Sequence, residues 1–200
     1  MTLQNIKDIL IKPLSWAEWN DLSNFSCDKS EEQMVTGKIG FGKNLVDEVL
    51  PLADFIRLYY PPDTPYCFKY EDGNQPYDML VVDDQNNEIE RIEVTKVIDG
   101  HSEKTSTTEL TDKGMTTFSP NNKDASDLLK EILLKKQSKG NYVNCKLVIY
   151  MVERELVFYD VNEMIEIIRR YADNTFTGIF LVERGSSDGN PTKIVYAHYS

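Results

Sequence analysis

The chain has 200 residues, with 33 Asp and Glu against 22 Lys and Arg, so its formal net charge is -11. A chain of this length can bury roughly 70 % of its unfolded surface in one core without a disulfide frame. So acidic a chain repels nucleic acid at long range, which leaves only a local cationic patch to attract a phosphate backbone. The 3 cysteines, Cys27, Cys67 and Cys145, lie far apart with no Cys-x-x-Cys pair; they argue against a disulfide scaffold or a zinc site and for reduced thiols in a cytoplasm. No apolar run approaches the ~20 residues of a membrane span, and the first residues do not open a signal peptide.

In chain order, the amino-terminal part reads as helical. Ser15 with Glu18 and Ser30 with Gln33 are capping-box pairs, and Trp16 and Trp19 fall one turn apart. Gly37, Gly40 and Gly42 surround Lys38, Ile39 and Phe41. A glycine-rich loop of that kind can cradle phosphate, but it lacks the Gly-Lys-Ser/Thr ending of a P-loop and reads rather as a plain flexible connection. A helix over 44–59 follows, with a kink expected at Pro51.

Residues 66–70 are a strand by aromatic content, and 71–74 a turn. A hairpin then carries Asp78 ahead of Met79-Leu80-Val81-Val82 on one arm, and Ile89 through Lys96 on the other. A four-residue loop over 84–87 sets Asp83 opposite Glu88, and counting back places Asp78 opposite Glu93. Two carboxylates that close can share a hard divalent cation, which removes their repulsion. Alternation gives Thr95 the face of Glu93 and Lys96 the other, unless a bulge near Thr95 brings the lysine round.

Residues 98–120 are polar and read as a long loop holding His101, a general-base candidate or a plain solvated histidine. From Asp124 to Ser138, Ala125, Leu128, Leu129, Ile132 and Leu133 recur at helical spacing, with Lys130, Lys135, Lys136 and Lys139 at other positions. This basic amphipathic helix stops at Gly140, and a buried-strand pattern over 145–152 follows. After an extended piece at 154–159 come a helix over Val161–Tyr171, ending in Arg169 and Arg170 where cations suit the dipole, and strands at 177–182 and Lys193–Tyr199.

Asp78 followed by Glu93-Val94-Thr95-Lys96 at the end of the next strand resembles the PD-(D/E)xK nuclease superfamily. The lysine-rich helix, Tyr142 and the Leu147-Val148-Ile149-Tyr150 strand after it keep the order of that superfamily. Two departures stand out: Tyr77 separates Pro76 from Asp78, and the lysine falls one residue later than in Glu-x-Lys. The resemblance implies an α/β fold with a restriction-endonuclease-like core, a central mixed β-sheet flanked by helices, and a helical amino-terminal extension. Within a single domain over 1–200, the extension takes 1–43, the core 44–152 and a further helix and strands 153–200. It implies metal-dependent hydrolysis of DNA or RNA, with Mg2+ or Mn2+ held by Asp78 and Glu93 and a third acidic ligand, Glu48, from the preceding helix. Lys96 would position or polarise the nucleophile, and Lys135, Lys136 and Lys139 would attract the nucleic-acid backbone. The alternative is the same fold without catalysis, its displaced lysine marking a lost site and its acidic surface binding a basic protein partner as an immunity or regulatory module.

Overall fold

The computed structural model describes residues 3–27, 45–73, 75–97, 124–151, 159–185 and 191–200. The pair Ser30 and Gln33, the glycines at 37, 40 and 42, the stretch 98–120 with His101, and residues 154–158 lie outside the described residues.

The described elements are α1 (Leu3–Ile9), α2 (Trp16–Cys27), a π-helical turn (Leu45–Val49), α3 (Leu50–Tyr59), β1 (Cys67–Tyr70), β2 (Met79–Val82), β3 (Glu88–Lys96), α4 (Ala125–Ser138), β4 (Cys145–Met151), α5 (Val161–Tyr171), β5 (Gly178–Glu183) and β6 (Lys193–Tyr199). The strands follow one another in a six-stranded sheet, β1 to β6. Pairing is antiparallel between β1 and β2, β2 and β3, and β5 and β6. Between β3 and β4 the bonds Arg91 N–H to Asn144 O and Val97 N–H to Tyr150 O advance in the same direction, which is parallel pairing. The protein is therefore α/β with a mixed sheet and helices.

The chain divides into two compact units: Met1–Thr95 with Asn141–Val148, and Lys96–Gly140 with Ile149–Ser200. In the first, α2 opens with the expected capping box. Ser15 N–H donates to Glu18 Oε2 at 2.8 Å, and Glu18 N–H returns to Ser15 Oγ at 3.4 Å. This fixes the two tryptophans: Trp16 donates its indole N–H to Tyr60 O, and Trp19, fully buried, donates to Phe68 O, each at 3.1 Å. Leu14 and Phe68 exchange both backbone bonds, so the outer side of β1 is partly paired.

The single helix expected over 44–59 is two pieces. Pro51 does not kink its middle; it sits in the first turn of α3, directly after the π-helical turn. Proline has no N–H to return to the carbonyl four residues back, so an α turn through Asp47 would leave that oxygen unpaired, and a wider turn is the local answer.

The hairpin keeps its expected register where it matters and loses it near the turn. Met79 pairs with Ile92, Leu80 with Arg91 and Val81 with Glu90, but Val82 pairs with Glu88, leaving Ile89 as the bulged residue. Asp83 does not face Glu88. Its N–H bonds Asn87 O, and its carboxylate accepts from Gln85 and Asn87 N–H, with Asn86 at φ 63°. An aspartate able to close the loop on itself outcompetes the ladder there. The Ile89 carbonyl is taken by the Asn144 side chain at 2.5 Å.

In the second unit, Asp124 caps α4 and Asp160 caps α5, each accepting at 2.8 Å from the N–H two residues on. Gly140, at φ 69°, follows α4 as its stop. Gln137 donates to Tyr171 O at 3.0 Å, and Lys130 lies over the Tyr171 ring, joining α4 to α5.

Candidate acidic site of the first unit

Asp78 precedes β2 and is held from three directions. Its N–H donates to Ile92 O and its carbonyl accepts from Glu71, both at 2.9 Å, while its Oδ2 accepts from Val94 N–H at 2.7 Å. It therefore brackets Glu93, bonding to the residues on either side of it. One carboxylate oxygen does what a ladder carbonyl would do in a regular sheet. Glu93 itself is buried, 6 % exposed, an environment a carboxylate tolerates only with compensating partners.

Beside this pair stand Tyr142 and Cys145, both buried. Burial pushes the Cys145 thiol up to about 12, and the charges of Glu93 and Asp78 push the same way, so the group stays a neutral thiol. Burial raises the Tyr142 phenol as well, aided by Glu93, Cys145 and Asp78. The sequence did not mark Cys145 as part of a site. The signal available was its place opening the strand next to β3.

Glu48 reaches this group from the π-helical turn. Tyr70 donates its hydroxyl to Glu48 Oε2 at 2.6 Å. Burial raises the Glu48 carboxyl above its ordinary value, Asp47, Asp72 and Glu93 raise it further, and the Tyr70 bond opposes them. Burial followed by the Glu48 bond raises the Tyr70 phenol in turn. Nothing in the sequence pointed to Tyr70, because the turn that aims Glu48 at it is a departure from regular helix.

Glu48, Asp78 and Glu93 thus share one unit and one electrostatic environment. Among the described residues, however, no group of 3 or more His, Cys, Asp or Glu is gathered closely enough to hold a metal ion. Glu48 is tied to Tyr70. Mg2+ binds in general through one or two carboxylates and completes its shell with water and substrate phosphate.

The remaining predicted residues belong to the second unit. Lys96 ends β3 and is 8 % exposed. Lys135 and Lys139 are exposed and Lys136 half-buried at the carboxyl end of α4. The first unit has a buried lysine of its own, Lys146 on β4, against Glu90. Glu90 also accepts from Tyr60, and the Lys146 amine lies 5.3 Å from the centre of the Tyr59 ring. Burial pulls that amine down to about 8.

No family model matches the chain, and no curated protein or solved structure does. Among the described residues, no helix is long and apolar enough to cross a membrane.

Proposed function

We propose that the chain is a divergent PD-(D/E)xK-type nuclease with a restriction-endonuclease-like core, hydrolysing phosphodiester bonds of nucleic acid with Mg2+ or Mn2+ held by Asp78 and Glu93. The observation that carries this reading is the bracketing of Glu93 by Asp78 at the start of β2, produced by the Met79 to Ile92 register. The order of elements supports it: a helix, a three-stranded antiparallel meander, a helix, and a strand parallel to the third. A bound divalent ion would supply charge for the phosphate and acidify a water. The chain's own part is to fix the two acids. Asp78 is oriented by Val94 N–H, and Glu93 is kept from bulk water beside Tyr142 and Cys145. The thiols fit a cytoplasmic setting.

A second reading keeps the fold and drops the chemistry, leaving an acidic module that binds a basic protein. It draws on the engagement of Asp78 Oδ2 by Val94, which leaves that oxygen less available to an ion.

Calorimetric titration with Mg2+ and Mn2+ separates the two, alongside cleavage of end-labelled DNA and RNA. The enzyme reading expects a binding heat and metal-dependent cleavage, both abolished in Glu93→Gln, which keeps side-chain size, and in Asp78→Asn. A wild-type chain that takes up neither ion refutes it and leaves the binding module.

A further inference from the structure

Arg91 precedes Glu93 by two residues on β3, so the alternation of the strand gives both side chains the same face. The bulge lies before this stretch, and the pairing of Arg91 with Leu80 and of Ile92 with Met79 is regular. The guanidinium carbon of Arg91 is 4.9 Å from the centre of the Tyr77 ring, and Tyr77 is the residue before Asp78. Cys145 lies within electrostatic reach of Glu93, Asp78 and Arg91 together. A cation thus shares the face of the two acids within one unit, although the chain as a whole carries -11.

The present partner of that cation is a weak one. An Arg91 terminal nitrogen donates to Glu88 Oε2 at 3.1 Å, and Nε lies 2.9 Å from Glu88 Oε1, yet its buried N–H is not aligned on any protein acceptor. The two side chains are 26 % and 38 % exposed. An ion pair so wet contributes little and exchanges readily for a better anion. A planar guanidinium held against an aromatic ring is pre-organised for bidentate contact with phosphate, which lysine cannot reproduce.

We infer that Arg91, braced on Tyr77, binds a backbone phosphodiester of nucleic acid beside Asp78 and Glu93, exchanging Glu88 for the phosphate oxygens. The assignment deepens the nuclease reading and rests on it for the identity of the neighbouring acids. It supplies a substrate-binding residue within the same unit as the two acids.

The test is fluorescence anisotropy with a short labelled DNA duplex and its single strand, in chelator, across a salt series. Arg91→Ala is expected to bind roughly tenfold more weakly, the loss of one charge-assisted contact, with the salt slope reduced by about one. Arg91→Lys is expected to keep the slope and lose part of the affinity. Glu88→Gln leaves the arginine in place and removes its competitor, so it is expected to tighten binding several-fold. Wild-type-like affinity and slope in Arg91→Ala, no tightening in Glu88→Gln, or no binding by the wild type would each overturn the assignment. Metal titration of these variants and of Glu93→Gln keeps the two ideas apart: Arg91-dependent binding without any metal heat retains the phosphate contact and refutes the enzyme. A metal heat that needs Glu93, with binding indifferent to Arg91, does the reverse.

Discussion

Lys146 and Glu90 form a buried ion pair whose two halves are expected to fail unequally. Their side chains are 11 % and 14 % exposed, Glu90 also accepts from Tyr60, and the lysine sits on the Tyr59 ring. In Glu90→Gln the amide can still accept from Tyr60, and the lysine can shed its proton. With the amine already pulled down to about 8, its neutral form is within reach at pH 7, so the variant should cost on the order of 1 kcal/mol there and almost nothing at pH 9. In Lys146→Met the carboxylate is stranded and its escape is to take up a proton, which for an ordinary glutamate near 4.3 costs ~3.7 kcal/mol at pH 7 and ~1 kcal/mol at pH 5. The double variant should recover most of the Lys146→Met loss, because two neutral groups remain. The wild type carries a signature of the same amine. Between pH 8 and the unfolded value of 10.5, the unfolded chain holds a proton that the folded chain does not, so this lysine's contribution to stability rises with pH. Urea denaturation followed by tryptophan fluorescence is the assay, since both tryptophans of the chain, Trp16 and Trp19, lie in the unit that holds the pair. Equal costs for the two single variants at pH 7, or costs that do not move with pH in opposite directions, would refute the reasoning.

Asp78→Ala should destabilise the first unit by about 1.5–3 kcal/mol even without metal, because the Val94 N–H loses a charged acceptor; an unchanged urea midpoint would show that bond to be unimportant. Trp19→Phe should cost about 1–3 kcal/mol in the same assay through the lost bond to Phe68 O and the void left in a fully buried site, and should also remove fluorescence. Glu18 is held below the ordinary carboxyl value, first by the Ser15 backbone N–H. Its contribution is present above that ordinary value and is lost as pH falls through the lowered one, so Glu18→Gln should lower the thermal midpoint slightly at neutral pH and converge with the wild type at acid pH; a difference that persists in acid would refute the assignment.

Local chemistry made several elements readable. The Ser15 and Glu18 pair starts α2, Asp124 and Gly140 bound α4, and Val161–Tyr171 and Lys193–Tyr199 coincide with α5 and β6. The register of Asp78 with Glu93 was reached by counting from a four-residue loop that the structure does not have; Asp83 pairs with Asn87 across a shorter loop, and the bulge at Ile89 restores the count. The hairpin loop was not legible, since Asp83 can satisfy the same backbone groups by folding onto its own turn, and composition does not say which wins.

The sequence by itself determined most of the helices and strands, because hydrophobic period, caps and turn residues act over a few positions. Only the tertiary structure decided which partners reach the acids and their neighbours: Val94 N–H orients Asp78, Tyr70 donates to Glu48, and the Arg91 guanidinium lies against Tyr77. Those outcomes depend on burial and on partners distant along the chain. A carboxylate's role follows from the donors that reach it after the backbone has folded, and no local pattern encodes them.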